Sequence, residues 1–71
     1  IIPIFALGIQ ALYGDQWAKN RLIDIGLEGN DVEVVNVLEY IAEPWCWDAL
    51  ARFIDESKGE DVQIASMEAV R

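Results

Sequence analysis

Apolar residues fall three and four positions apart along the chain far more often than in alternation, a spacing that predicts helices and almost no strand. A first helix is expected over Ile2 to Tyr13, with Pro3 in the tolerant first turn and Gly14 as the stop. Asp15 stands where an N-cap is needed for a second helix, Gln16 to Leu27. Its Trp17, Ala18, Leu22 and Ile25 share one side, and it ends near Gly29. Asn30 and Glu33 have capping-box spacing ahead of a third helix that reaches Ala42, with Val34, Val35, Leu38, Ile41 and Ala42 as its apolar face. Glu43-Pro44 ends it. Pro44 opens a fourth helix in which Trp45, Ala49, Leu50, Phe53 and Ile54 form the clearest amphipathic stripe, before Gly59 stops it. Asp61 is placed to cap a last segment, Val62 to Val70, which reads as a short helix, with an edge strand as the alternative. Connections this short make successive helices antiparallel neighbours.

Sliding the sequence by 30 residues superposes Trp17 on Trp47, Gly29 on Gly59, Asp31 on Asp61 and Val32 on Val62. Each Gly-x-Asp-Val step falls between two helices, where glycine permits a left-handed exit and aspartate caps the next helix. The expected organisation is one domain over 1–71, with a leading helix at 1–14 and repeat units at 15–44 and 45–71.

The stretch DALARFIDESKGEDVQIASMEAV resembles one unit of the short HEAT-like repeats, including those of the phycobilisome-lyase type. RLIDIGLEGNDVEVVNVLEYIAEPW resembles the preceding unit, and IFALGIQALYGDQW the B helix of one before it. The chain departs from that pattern twice. Glu33 and Gln63 stand where such repeats commonly carry arginine, and Val34 to Val37 is bulkier than the usual alanines. The ankyrin pattern touches GNDVEVVNVLEYI, but its Thr-Pro-Leu-His element is absent. The resemblance implies an all-α fold: a short right-handed α-solenoid of about five antiparallel helices, two HEAT-like hairpins plus a leading helix, with the B helices lining a concave recognition face.

Composition narrows the chemistry. Five Lys and Arg stand against 13 Asp and Glu, a net charge of -8, which argues against any binder of nucleic-acid phosphates or of anionic membrane surfaces. With no histidine and one cysteine, zinc sites and Ser-His or Cys-His nucleophiles have no residues to use. The adjacent acids Asp55 and Glu56, and Glu60 and Asp61, point to different helix faces and read as solvated helix ends. No enzyme activity, cofactor or metal is expected. Cys46 cannot close an intramolecular disulfide, so the default setting is a reducing, cytoplasmic one. The opening IIPIFALGIQALY is too short to cross a bilayer. Met67 is the sole methionine, so a processed chain or a segment of one is expected.

Hydrophobic residues make up 54% of a chain too small to bury them all, so some are expected at a contact surface. Two surfaces stand out. The leading segment is apolar on nearly every side, from Ile1 and Ile2 through Ile4, Phe5 and Ile9, and is read as an association end. On the third helix, Glu33, Asn36, Tyr40 and Glu43 form a polar ridge opposite the apolar face, with Gln63 and Ser66 as counterparts one unit later. In the Trp45-Cys46-Trp47 cluster, one indole must project outward. Trp17 and Trp47 are expected to pack alike in the two units, and Trp45 to fill the gap beside Leu50 or Tyr40 or to anchor a partner. The function these readings imply is a non-catalytic protein-interaction or scaffold module, bound to another protein or to itself as a homo-oligomer. Two alternatives are part of a bilin-lyase-like attachment factor, and an acidic inhibitor that mimics nucleic acid on a basic protein surface.

Overall fold

The structure, a computed structural model, describes residues 2–71 and contains five helices and no strand among them. Ile1, counted with the apolar leading segment, lies outside the described residues. The helices are α1 (Ile4–Leu12), α2 (Gln16–Glu28), α3 (Glu33–Ile41), α4 (Pro44–Glu56) and α5 (Glu60–Ala69).

Local chemistry sets these boundaries. The Asp15 carboxylate accepts from the Ala18 amide at 3.1 Å and caps α2, and Gly29 closes it in the left-handed region at φ 75°. Pro44 occupies the first turn of α4, where its missing N–H is not needed. Two caps differ from expectation. At α3 the Asn30 capping box is not formed, because Asn30 turns back to donate to Glu28; the Asp31 carboxylate, the aspartate of the Gly-x-Asp-Val step, accepts from the Glu33 amide at 3.0 Å as that step implied. Helix α5 starts at Glu60, so Asp61 lies inside its first turn. Gly59 precedes that turn in an extended conformation, at φ −97°, and not in a left-handed one. The last segment is a helix, and the edge-strand alternative falls away.

The core gathers Leu7 and Ala11 of α1, Ala18 and Leu22 of α2, Val34, Val35, Val37, Leu38 and Ile41 of α3, Cys46, Ala49, Leu50 and Phe53 of α4, and Val62 of α5. Helix α1 packs most extensively on α2, and α4 on α5. Helix α2 also lies against α4, while α3 touches both α1 and α5. The Cα envelope measures 27 × 24 × 15 Å. Its shortest side is the thickness of two helix layers about 10 Å apart.

Helices α2 and α4 meet along a tightly fitted seam. Lys19 lies over the Trp45 ring, 5.5 Å from its centroid, near the N-terminal ends. Farther along, the tip of the Phe53 ring abuts Gly26, and beyond the helix ends the backbones of Gly29 and Gly59 touch. Contacts fall in the same order along both helices, so α2 and α4 run parallel. Two carbonyls at the α2 C-terminus accept hydrogen bonds from the other side of the seam, that of Gly26 in addition to its bond from the Gly29 amide. The Ser57 hydroxyl donates to the Gly26 carbonyl at 2.6 Å, and the Lys58 amide to that of Leu27 at 2.9 Å.

The internal repeat has a different phase from the sequence identities. Both α2 and α4 are 13 residues long, and α4 starts 28 residues after α2. At that step fully buried residues coincide: Ala18 with Cys46, Leu22 with Leu50, Val34 with Val62, and Leu38 with Ser66. Of the four identities two residues out of phase, Trp17 and Trp47 are both exposed and Gly29 and Gly59 both half-buried, but the other two pairs do not match in environment. Val32 is exposed where Val62 is buried, and Asp31 precedes a helix where Asp61 lies within one.

Candidate functional site

The candidate site is a groove of about 260 Å³ between α1 and α3. Helix α1 contributes Phe5, Gly8, Ile9 and Leu12, and α3 contributes Glu33, Asn36, Val37, Tyr40 and Ile41. Its floor exists because Gly8 lacks a side chain: a β-carbon there would come within 2.6 Å of Val37 Cγ1. Phe5 at 73% exposure and Tyr40 at 85% stand as the most open parts of the rim, with Ile9 and Leu12 about half exposed between them. On the polar side the Glu33 carboxylate accepts from the Asn36 amide group at 3.2 Å, which fixes both side chains. The result is an apolar trough with one carboxylate and a phenol hydroxyl at its edge.

Two surfaces read separately from the sequence therefore become one. Phe5 and Ile9 of the apolar end face Glu33, Asn36 and Tyr40 of the α3 ridge across the same groove. The other residues assigned to these surfaces lie elsewhere. Ile2 is exposed outside the groove, and Ile4 packs against the core. Glu43 lies beyond α3, half-buried at the start of α4, where its carboxylate accepts from Trp45 Nε1 at 2.9 Å. That bond and the overlying Lys19 hold Trp45 half-buried on the α2–α4 seam, so it is not a free anchor. Trp17 and Trp47 are the two open indoles, at the second position of α2 and the fourth of α4.

The ridge does not continue onto α5. Ser66 is fully buried and its hydroxyl has no hydrogen-bond partner among the described residues, while Gln63 is half-buried. Ser66 faces inward because it occupies the step held by Leu38 in α3, which the 30-residue offset concealed. Leu12 belongs to the apolar leading segment read as an association end, whereas Gly8, Val37 and Ile41 were not singled out by the sequence as site residues. The one available signal was Gly8, which with Gln10 interrupts an apolar run and stands where close backbone approach needs it.

Reactive chemistry is thin around the groove. Cys46 is buried in the core, and burial pushes its thiol pKa up. No group of three or more His, Cys, Asp or Glu side chains gathers among the described residues. No helix of the described residues is long and apolar enough to cross a membrane.

No protein-family model, curated protein or solved structure matches the chain.

Proposed function

We propose that the chain is a non-catalytic protein-interaction module, a short α-solenoid of two HEAT-like hairpins behind a leading helix, which docks a protein partner in the α1–α3 groove. The observation that carries this reading is the convergence of Phe5, Ile9 and Tyr40, all exposed, on one preformed trough whose floor depends on Gly8. Large exposed apolar side chains beside a concave surface mark contact sites more often than solvated faces. The solenoid part of the reading is supported by the parallel seam of α2 and α4, by α3 lying against both α1 and α5, and by the 28-residue recurrence of buried positions. The groove's volume lies just below the roughly 300–1,000 Å³ of small-molecule sites, so it suits one or two side chains of a larger partner better than a whole cofactor.

Photo-crosslinking tests this reading. A photoreactive residue at position 9 is expected to give a discrete adduct with a partner protein in the source cells, and one at position 52 on α4 is not. Excess unlabelled chain should compete the adduct away, and Ile9→Lys chain should not. Equal labelling from both positions, or competition by Ile9→Lys chain, contradicts the assignment of the groove.

A further inference from the structure

Cations are unevenly placed among the helices. Helices α1, α3 and α5 contain no Lys or Arg, and they carry Glu33, Glu39, Glu60, Asp61 and Glu68. The helical cations all lie on α2 and α4, where each has a local partner. Arg21 pairs with Glu28 at 3.8 Å, Arg52 with Glu56 at 3.4 Å, and Lys19 rests on the Trp45 ring. The cations of α2 and α4 are thus taken up within those two helices, and the carboxylates of α3 and α5 are left without a cation on α1, α3 or α5 to oppose them.

The groove is walled by α1 and α3, neither of which carries a Lys or Arg, with Glu33 in its wall. We propose that its occupant is a cationic amphipathic helix, which seats an aliphatic side chain between Ile9 and Tyr40 and turns flanking Lys or Arg residues toward Glu33 and the other carboxylates of α3 and α5. This rests on the docking reading above and adds the chemistry of the partner. Helix-in-groove recognition needs an apolar anchor row and a trough to receive it, and the groove supplies the trough. Charge complementarity then sets orientation and speeds encounter. A second copy of this chain is a poor occupant, because it brings another -8 and no cation on the helices that line its own groove.

The test uses the whole chain, isotopically labelled, and three short synthetic peptides. The first has leucine at helix-face spacing with lysine elsewhere, the second has the same leucines with glutamate elsewhere, and the third has the lysines with alanine for leucine. The leucine-lysine peptide is expected to shift the amide signals of Gly8 and Ile9 and the side-chain amide of Asn36. Its affinity should fall about tenfold or more as salt rises from about 50 to about 300 mM. The other two peptides should each bind about tenfold weaker or worse, and Ile9→Lys should weaken the first peptide by a similar factor. Equal binding of the leucine-glutamate peptide would overturn the cationic partner and leave the groove as a docking site. Shifts confined to α2 and α4, or none in the groove with any peptide, would overturn both. A dimer whose interface shifts map to the groove and which the first peptide does not displace would make a second copy the occupant and also overturn the proposal.

Discussion

The tip of the Phe53 ring rests against Gly26 so closely that a β-carbon on Gly26 would overlap it. Alanine in place of a mid-helix glycine ordinarily gains up to about 1 kcal/mol from propensity. Here an overpacking penalty of about 1–3 kcal/mol opposes that gain, and the ring has no room to withdraw from a fully buried site. Gly26→Ala is therefore expected to lower stability by about 2 kcal/mol in urea denaturation. Adding Phe53→Leu should recover part of the loss, with a coupling of about 1 kcal/mol or more between the two sites. A Gly26→Ala variant as stable as the parent would show that α2 and α4 do not meet as described.

Ser57 joins the same seam by donating to the Gly26 carbonyl and accepting from the Gly59 amide. Removing its hydroxyl leaves a buried carbonyl at the end of α2 without that partner. Ser57→Ala should cost about 1–2 kcal/mol, measured by the shift in denaturant midpoint at unchanged slope.

Ser66 is the opposite case. Its hydroxyl is buried with no partner among the described residues, so desolvation is uncompensated. Ser66→Ala is expected to stabilise the chain by about 1 kcal/mol and raise the melting temperature by about 4–8 °C. A destabilised variant would show that the hydroxyl is satisfied, and the inward placement of this α5 face would need revision.

How far the sequence foretold these features depends on whether the signal was local. Asp15 as a cap, Gly29 as a left-handed stop and Pro44 as a first-turn residue act within one helix end, and the structure places them as read. The sequence offered two caps for α3, the Asn30 capping box and the aspartate of the Gly-x-Asp-Val step, and it is the second, Asp31, that accepts from the Glu33 amide. Ser66 was misplaced because identities at a 30-residue offset were taken as structural equivalence, whereas the helices recur at 28. Residue type followed one register and burial the other. The groove needed a pairing of α1 with α3 that no local pattern specifies, although Phe5, Ile9, Glu33, Asn36 and Tyr40 were each legible as surface candidates. The inward turn of Trp45 was decided by Glu43 and Lys19, the latter distant in sequence.

Cys46 gives a pH dependence with a definite sign. Burial disfavours the thiolate and outweighs the backbone hydrogen bonding at Glu43 and Ala42 that favours it, so the folded chain holds the thiol proton to higher pH than the unfolded chain. A raised folded pKa contributes stability that is intact below the ordinary thiol pKa and is lost as pH rises through the folded value. Stability of the parent should therefore fall, relative to Cys46→Ala, above about pH 9. The check is a pair of urea titrations at neutral and alkaline pH. A thiol that reacts at the rate of a free cysteine at neutral pH would contradict the burial on which this depends.

The central claim is that the exposed rim of the α1–α3 groove, Phe5 and Tyr40, serves contact and not folding, and equilibrium urea denaturation of a Phe5→Ser, Tyr40→Ser double variant tests it most directly. Both side chains are largely open to solvent, so the account predicts a stability within about 1 kcal/mol of the parent, at the same slope. A loss of about 3 kcal/mol or more would show that these rings are core residues and would contradict the groove as a docking surface.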